Sequence, residues 1–311
     1  MVLEDVAPPS PGPGQIAVEV KAASLNFADI LLCEGSYQVR PPVPFTPGME
    51  ASGIVTATGP GVDIPVGTHV AGLTALPAGG YAEHALVQAP AALVFPADVP
   101  FTDVTVLATT YQTAHVALHH RGAVAAGDWL LVLAGAGGVG SAAIQVGLAA
   151  GATVVATAVG PEKVETCRRL GAHHAVDYRA EDLYATVMDL TGGRGVDVVY
   201  DSVGGAIAEP SRRLLAWEGR YLVIGFASGD IEAFPANHVL VKNYSVVGVH
   251  WGGYPARDRA VVDRAHEDLI RLYREGLVRP EVTGTVALDG VAAGLEAIGE
   301  RRTQGRLVLV P

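Results

Sequence analysis

Cysteine is almost absent: Cys33 and Cys167 are the only two in 311 residues. They stand far apart in segments that read as helices, which fits a reducing cytoplasm better than a disulfide scaffold. Basic residues are also few. The 21 Lys and Arg face 32 Asp and Glu, a formal net charge of −11, and they occur singly or in pairs such as Arg212-Arg213 and Arg301-Arg302. A nucleic-acid or anionic-membrane partner needs a local basic patch, and the sequence offers none. Residues 1–13 lack the positive start and apolar run of a signal peptide. Residues 130–161 contain no charge at all, so their hydropathy imitates a membrane span. That stretch is rich in glycine and changes period midway, so a buried strand–turn–helix–strand accounts for it better.

Half of the residues are apolar, enough for two sizeable cores. Residues 1–105 read as a small β-barrel, with alternation over 15–21, apolar strands near 53–58 and 66–72, and many Pro and Gly turns. Pro41-Pro42, Pro44 and Pro47 make the stretch around them an ordered loop. Beyond about residue 105 strands alternate with helices. Strands are expected over 129–134, 153–159, 174–178, 196–201, 220–225 and 244–249, with helices over 139–150, 162–170, 183–190 and 207–217. This is an α/β pattern, a doubly wound parallel sheet. The C-terminal part reads as a charged helix (256–275), a strand (282–286), a helix (290–301) and a strand (306–310). Pieces this short have no core of their own and return to the N-terminal unit. The expected domains are therefore 1–105 with 256–311, and 106–255.

Gly135-Ala136-Gly137-Gly138-Val139-Gly140 satisfies G-x-G-x-x-G. It follows an apolar strand and opens a helix, the context that a Rossmann dinucleotide site requires. Gly135 suits the tight turn, Gly137 the approach of a pyrophosphate, and Gly140 close helix–strand packing. The helix N-terminus offers unpaired N–H groups to phosphates. An NAD site places a carboxylate after the second strand, but Thr157-Ala158-Val159-Gly160 carries none before Glu162. Lys163, one turn into the next helix, could neutralise a 2′-phosphate instead. A lysine beside a glutamate at a helix start is equally an ordinary solvated pair.

Together these stretches resemble the zinc-independent quinone oxidoreductases of the medium-chain dehydrogenase/reductase superfamily. The resemblance runs through Ala23-Ser24-Leu25-Asn26-Phe27-Ala28-Asp29, Gly35-Ser36-Tyr37, Pro44-Phe45-Thr46-Pro47-Gly48-Met49-Glu50 and Ala134 to Gly140. It continues in Val199-Tyr200-Asp201-Ser202-Val203-Gly204, Leu240-Val241-Lys242-Asn243 and Gly305-Arg306-Leu307-Val308-Leu309. It implies a GroES-like catalytic domain and a Rossmann domain, with NADPH held between them. It further implies Asn26 near the nicotinamide, Thr113 near the phosphates and nicotinamide ribose, and Lys163 with Tyr178 around the 2′-phosphate. Gly138, Val139, Gly225 and Arg306 complete the implied cofactor set. The family often has a hydroxyl residue where this chain has Gly160, and an additional strand or hairpin ahead of the stretch matching residues 3–14.

The positions matching the zinc ligands of related alcohol dehydrogenases are Asn26 or a neighbour, Met49 and Thr109, and the four-Cys structural lobe is missing. Amide, thioether and hydroxyl are poor zinc ligands, so no metal is expected there. His119-His120 and His173-His174 are adjacent pairs; neighbours on a helix point about 100° apart and rarely share an ion. The implied reaction is hydride transfer from NADPH to a quinone or α,β-unsaturated carbonyl, small molecules whose conjugation spreads the resulting charge. Tyr37 is the candidate for polarising the carbonyl or passing a proton, or else its ring packs over the proline-rich loop. Asn26 is a candidate partner for the substrate oxygen or the nicotinamide ribose. Asp29 is expected to cap or pair locally, Tyr111 to line the site or fill the core, and His250-Trp251 to pack. The last Rossmann strand presents an apolar edge that a second copy could cover as a homodimer. The rival readings are an enoyl-thioester reductase, and an NADPH-binding protein of low turnover, of the crystallin or vesicle-protein kind.

Overall fold

The computed structural model describes residues 1–311. Its strands, in chain order, are β1 (Gln15–Ser24), β2 (Glu50–Thr58), β3 (His69–Leu73), β4 (His84–Gln88), β5 (Leu93–Val94), β6 (Trp129–Val132), β7 (Thr153–Ala158), β8 (His174–Asp177), β9 (Val196–Asp201), β10 (Leu215–Val223), β11 (Ser245–Gly248), β12 (Val282–Val286) and β13 (Arg306–Leu309). The chain divides into two compact units: Met1–Thr109 with Gly252–Arg259 and Val282–Pro311, and Thr110–Trp251 with Ala260–Glu281.

The first unit is built on β1, which pairs antiparallel with β2, β4 and β13, while β12 joins β13 in parallel. Ile16 and Val18 bury one face against Val55, Val70 and Val87, and Ala17 meets Ala75 and Leu86 on the other, the two-residue period of a strand. Register shifts between Ala17 and Val18 and between Val20 and Ala22 bend the strand, as closing a small barrel requires. A Cβ on Gly53 would stand 1.9 Å from the Glu19 carbonyl oxygen, so only glycine lets β2 approach β1 there. Residues 34–45 carry neither helix nor strand, as the prolines dictate.

The second unit holds a six-stranded, all-parallel sheet in the order β8-β7-β6-β9-β10-β11. Numbered within the unit this is 3-2-1-4-5-6, with the reversal between β6 and β9. Leu130, Leu131 and Val132 of β6 and Val198, Val199 and Tyr200 of β9 have no exposed surface. Strands covered on both faces read as uninterrupted apolar runs.

Three expectations about elements need correction. The helix expected over 207–217 is only Ala208–Arg213, and β10 already begins at Leu215. Glu218 takes φ +61° and the pairing of β10 with β9 shifts register between Leu215 and Arg220; that irregularity hid the strand's start. The helix expected over 256–275 is two, Tyr254–Arg257 and Arg259–Arg274, separated by Asp258 at the non-helical φ −151°, ψ 77°. Most of the longer helix falls in the second unit, whereas β12, the helix Val291–Gly299 and β13 fall in the first.

Candidate functional site

The glycine motif turns from β6 into the helix Gly138–Ala149. A Cβ on Gly140 would lie 2.2 Å from the Ala134 carbonyl oxygen, and one on Gly135 2.8 Å from the Ala156 side chain and 2.9 Å from the Cys167 sulfur. Gly135 and Gly140 are therefore required by close packing of turn, helix and strand. Gly137 differs: a Cβ there would meet only the Ala134 oxygen, at 3.3 Å. Gly137 is the N-cap and no side chain caps the helix, so the first N–H groups stay available to an anion. Ala134, just before the motif, is held at φ +52°. Strain of this kind, about 1–3 kcal/mol, concentrates at ligand sites. The motif opens beside the strand-order reversal, where ligands bind in open α/β sheets. The segment Gln112–His115, with Thr113, packs on the same helix, and Gly225 follows β10.

At the end of β7, Gly160 has φ +84° and open space where a Cβ would project. Lys163 lies in the first turn of the helix Pro161–Arg169, and Tyr178 directly follows β8, which β7 pairs through Ala158 and Asp177. Asp177, which no sequence motif marks, also reaches this turn. Its Oδ2 accepts from the Gly160 N–H at 2.9 Å and its Oδ1 from the Arg179 N–H at 3.1 Å. No acid stands at the end of the second strand, yet the third strand delivers one to the same turn. That contact follows from sheet order, which the local sequence did not reveal.

In the first unit, Asn26, Asp29, Met49, Glu50, Tyr81, Thr109 and Arg306 share one polar cluster. Asn26 donates through Nδ2 to Glu50 Oε1 at 2.9 Å and to the Ser24 carbonyl at 3.3 Å, while its Oδ1 accepts from Arg306 Nη1 at 2.6 Å. A carboxylate only accepts and a guanidinium only donates, so the amide's orientation is fixed. Both amide hydrogens are thus committed, and one lone pair on Oδ1 is left. Of the two expected roles for Asn26, hydrogen bonding to a substrate carbonyl lacks a donor in this geometry; accepting from a ribose hydroxyl does not. Asp29 is fully buried. Its carboxylate accepts from the Asn26 and Met49 N–H groups at 3.1 and 2.9 Å and from the Tyr81 hydroxyl at 2.7 Å. Burial pushes the Asp29 carboxyl up, while those three bonds oppose the rise. Burial likewise raises Glu50, against the charge of Arg306 and hydrogen bonds from Thr109 and Asn26. Asp29 therefore acts as a local brace.

Tyr37 is half-buried after the helix Phe27–Cys33, its backbone N–H bonded to the Leu31 carbonyl at 3.1 Å. None of the cluster's hydrogen bonds reaches its hydroxyl. Burial, and then the negative charge of Asp29, raise its pKa above the usual phenol value, so it keeps its proton at neutral pH. Tyr111 is a core residue whose hydroxyl donates to the Arg279 carbonyl at 2.8 Å. Trp251 is buried with its Nε1 3.4 Å from Gln112 Oε1, while His250 is exposed. The His119 ring lies beside that of His115, with centroids 4.4 Å apart and planes tilted by 40°, and His115 Nε2 lies 2.8 Å from Asp268 Oδ2. Burial lowers both imidazoles, His119 to about 4.

Residues 12–100 match the family model of the alcohol dehydrogenase GroES-like domain, and residues 138–267 that of the zinc-binding dehydrogenases. Quinone oxidoreductase-like protein 2 of Mus musculus is 36% identical over 311 residues, covering 99% of this chain and 88% of its own length. The chain belongs to the quinone oxidoreductase-like branch of the medium-chain dehydrogenase/reductase superfamily. Within that superfamily, a 2-haloacrylate reductase of a Burkholderia species is 34% identical over 322 residues, covering 100% of this chain and 95% of its own length. The Escherichia coli quinone oxidoreductase, solved in complex with NADPH, superposes with a TM-score of 0.91 at 30% identity, over 99% of this chain and 95% of that one. The name of the second family model raises the question of zinc. The amide of Asn26, already bonded to Glu50 and Arg306, with the thioether of Met49 and the hydroxyl of Thr109, does not fit that ion.

Proposed function

We propose that this superfamily member is an NADPH-dependent reductase that reduces a quinone or an α,β-unsaturated carbonyl without zinc. The observation that carries the reading is the uncapped helix behind Gly137, open to an anion at the strand-order reversal. Relatives solved with NADPH or named for quinone and haloacrylate reduction support it. When bound, NADPH supplies the hydride. The residues of the chain do the rest. The N–H groups at the start of the helix Gly138–Ala149, with Val139 and Thr113 nearby, hold the pyrophosphate. Lys163 and Tyr178 receive the 2′-phosphate, and the carboxylate of Asp177 beside Gly160 weakens the preference over NADH. The free lone pair of Asn26 accepts from the nicotinamide ribose, while Glu50 and Arg306 hold the amide for that contact. Gly225 keeps the end of β10 clear for the cofactor. Tyr37, protonated at neutral pH, donates to the oxygen on which negative charge develops.

A conjugated acceptor suits this apparatus because delocalisation does what a Lewis acid would otherwise do. The chain's helices include none long and apolar enough to cross a membrane, and we propose a cytoplasmic homodimer joined through β11. Val246 on that strand is 39% exposed, with Leu240 and Val241 exposed on the helix Ala236–Lys242. NADPH oxidation by the chelator-treated protein, with quinones, alkenals and enoyl thioesters as acceptors, tests the reading. Turnover confined to enoyl thioesters would favour the rival reductase, and NADPH binding without turnover the low-turnover class.

A further inference from the structure

We propose that His115, His119 and Asp268 form a second-unit binding site for a divalent transition-metal ion of the zinc, nickel or cobalt class. None of the three is assigned to cofactor or substrate. His115 ends the segment Gln112–His115, and His119 follows one turn later in the π-helical stretch Val116–Arg121. Their rings lie 4.4 Å apart. Two imidazoles spaced i, i+4 face the same side of a helix, the arrangement that lets one ion take both. The carboxylate comes from the helix Arg259–Arg274, with Asp268 Oδ2 2.8 Å from His115 Nε2 and 153 residues away along the chain. One donor atom from each residue lies within 4.8 Å of the others.

Zinc–ligand bonds of about 2.0–2.2 Å place tetrahedral donors roughly 3.4 Å apart. The widest pair must close from 4.8 Å by about 1.4 Å on that comparison, a movement within reach of side-chain rotation. The His115 and Asp268 side chains, 12% and 32% exposed, border an open cavity also lined by Val261, Arg264 and Ala265. An ion there keeps a coordination position facing solvent.

The surrounding charges narrow the class of ion. Arg271 holds Asp268 Oδ1 through Nε at 3.1 Å and Nη2 at 2.6 Å. That leaves Oδ2 turned toward the imidazoles, as an outer partner orients a ligating carboxylate. With Arg271 on the carboxylate and Arg264 on the cavity wall, no excess negative charge remains to retain a hard cation. Calcium takes six or more oxygens, and magnesium an octahedron of them. Two imidazoles and one carboxylate instead suit borderline transition ions. Adjacent pairs alone pointed away from such a site, because its partners are a residue one turn earlier and one on a distant helix.

The test is titration of the untagged full chain with Co2+, followed through its visible d–d absorption, with Mg2+ in parallel. One Co2+ per chain should bind, Zn2+ should displace it, and Mg2+ should not compete. His119→Gln and Asp268→Asn should each weaken Co2+ by more than the roughly 10–100-fold typical of losing an outer partner. NADPH affinity should be unchanged in both variants, showing an intact second unit. On the wild-type chain, Zn2+ should protect His119 from carbethoxylation, read by peptide mass. Failure of the folded wild-type chain to bind Co2+ at millimolar concentration would overturn the proposal. So would equal Co2+ affinity in wild type and His119→Gln, or modification of His119 at the same rate with and without Zn2+. The site stands or falls independently of the reductase reading, because none of these readouts is turnover.

Discussion

Replacing Gly137 by Ala separates the two demands on the glycine turn. The backbone at Gly137, φ −82° and ψ 170°, suits alanine, and the new methyl meets only one atom, the Ala134 oxygen at 3.3 Å. Alanine is a poorer N-cap than glycine by about 1 kcal/mol, which for a unit of this size lowers Tm by about 2–4 °C. The same methyl stands where a pyrophosphate would approach the helix N-terminus. Forcing a methylene-sized group into a packed contact costs about 1–3 kcal/mol, so NADPH should bind roughly 5- to 150-fold more weakly by the same figure. Gly140→Ala should do the reverse in order of severity. Its Cβ would lie 2.2 Å from the Ala134 oxygen and 2.8 Å from Gly135 Cα, backbone atoms that cannot yield. The turn itself would be forced apart, lowering Tm more than Gly137→Ala does. Differential scanning fluorimetry and NADPH fluorescence titration on both variants decide the matter. A Gly137→Ala protein that folds and binds NADPH as wild type does would refute the phosphate assignment.

Lys163→Ala should weaken NADPH by about 1–3 kcal/mol, the range for a charge-assisted hydrogen bond, and leave NADH unchanged; equal losses in paired titrations would remove Lys163 from the 2′-phosphate site. Tyr37→Phe should slow enone reduction by roughly 10²-fold and quinone reduction much less. Because the Tyr37 pKa lies above the ordinary phenol value, wild-type enone reduction should hold through neutral and mildly alkaline pH. It should fall only as pH rises past the usual tyrosine range, and loss of a limb in Tyr37→Phe profiles is the check. Static light scattering at micromolar concentration should give a dimer, and a charged residue in place of Val246 should shift it toward monomer; a wild-type monomer would contradict the β11 interface.

The parallel sheet was legible because its central strands are covered on both faces. Leu130-Leu131-Val132 and Val198-Val199-Tyr200 are short apolar runs, and glycine turns mark where helices begin. The early start of β10 was not legible, since Leu214, Leu215 and Trp217 in sequence fit a helical period while Glu218 turns through a positive φ. The helical run 101–121 escaped because its π-helical turns at 107–111 and 116–121 follow no 3.6-residue period. In the candidate site, Gly135 to Gly140 stand out by motif, and Asn26 and Tyr37 are proposed from the family resemblance. Glu50 appeared there only as part of a motif, and its grip on Asn26 is a contact across 24 residues. Asp177 and Asp268 act through contacts set by sheet order and helix packing, which a linear reading does not show.

The reductase account meets its most direct test in NADPH oxidation by metal-stripped protein, with a quinone and an enone presented separately as acceptors. The account predicts that both are consumed at the rate of the untreated enzyme, with NADPH preferred to NADH. Loss of turnover on stripping, restored by zinc in the wild type and in His119→Gln alike, would contradict it.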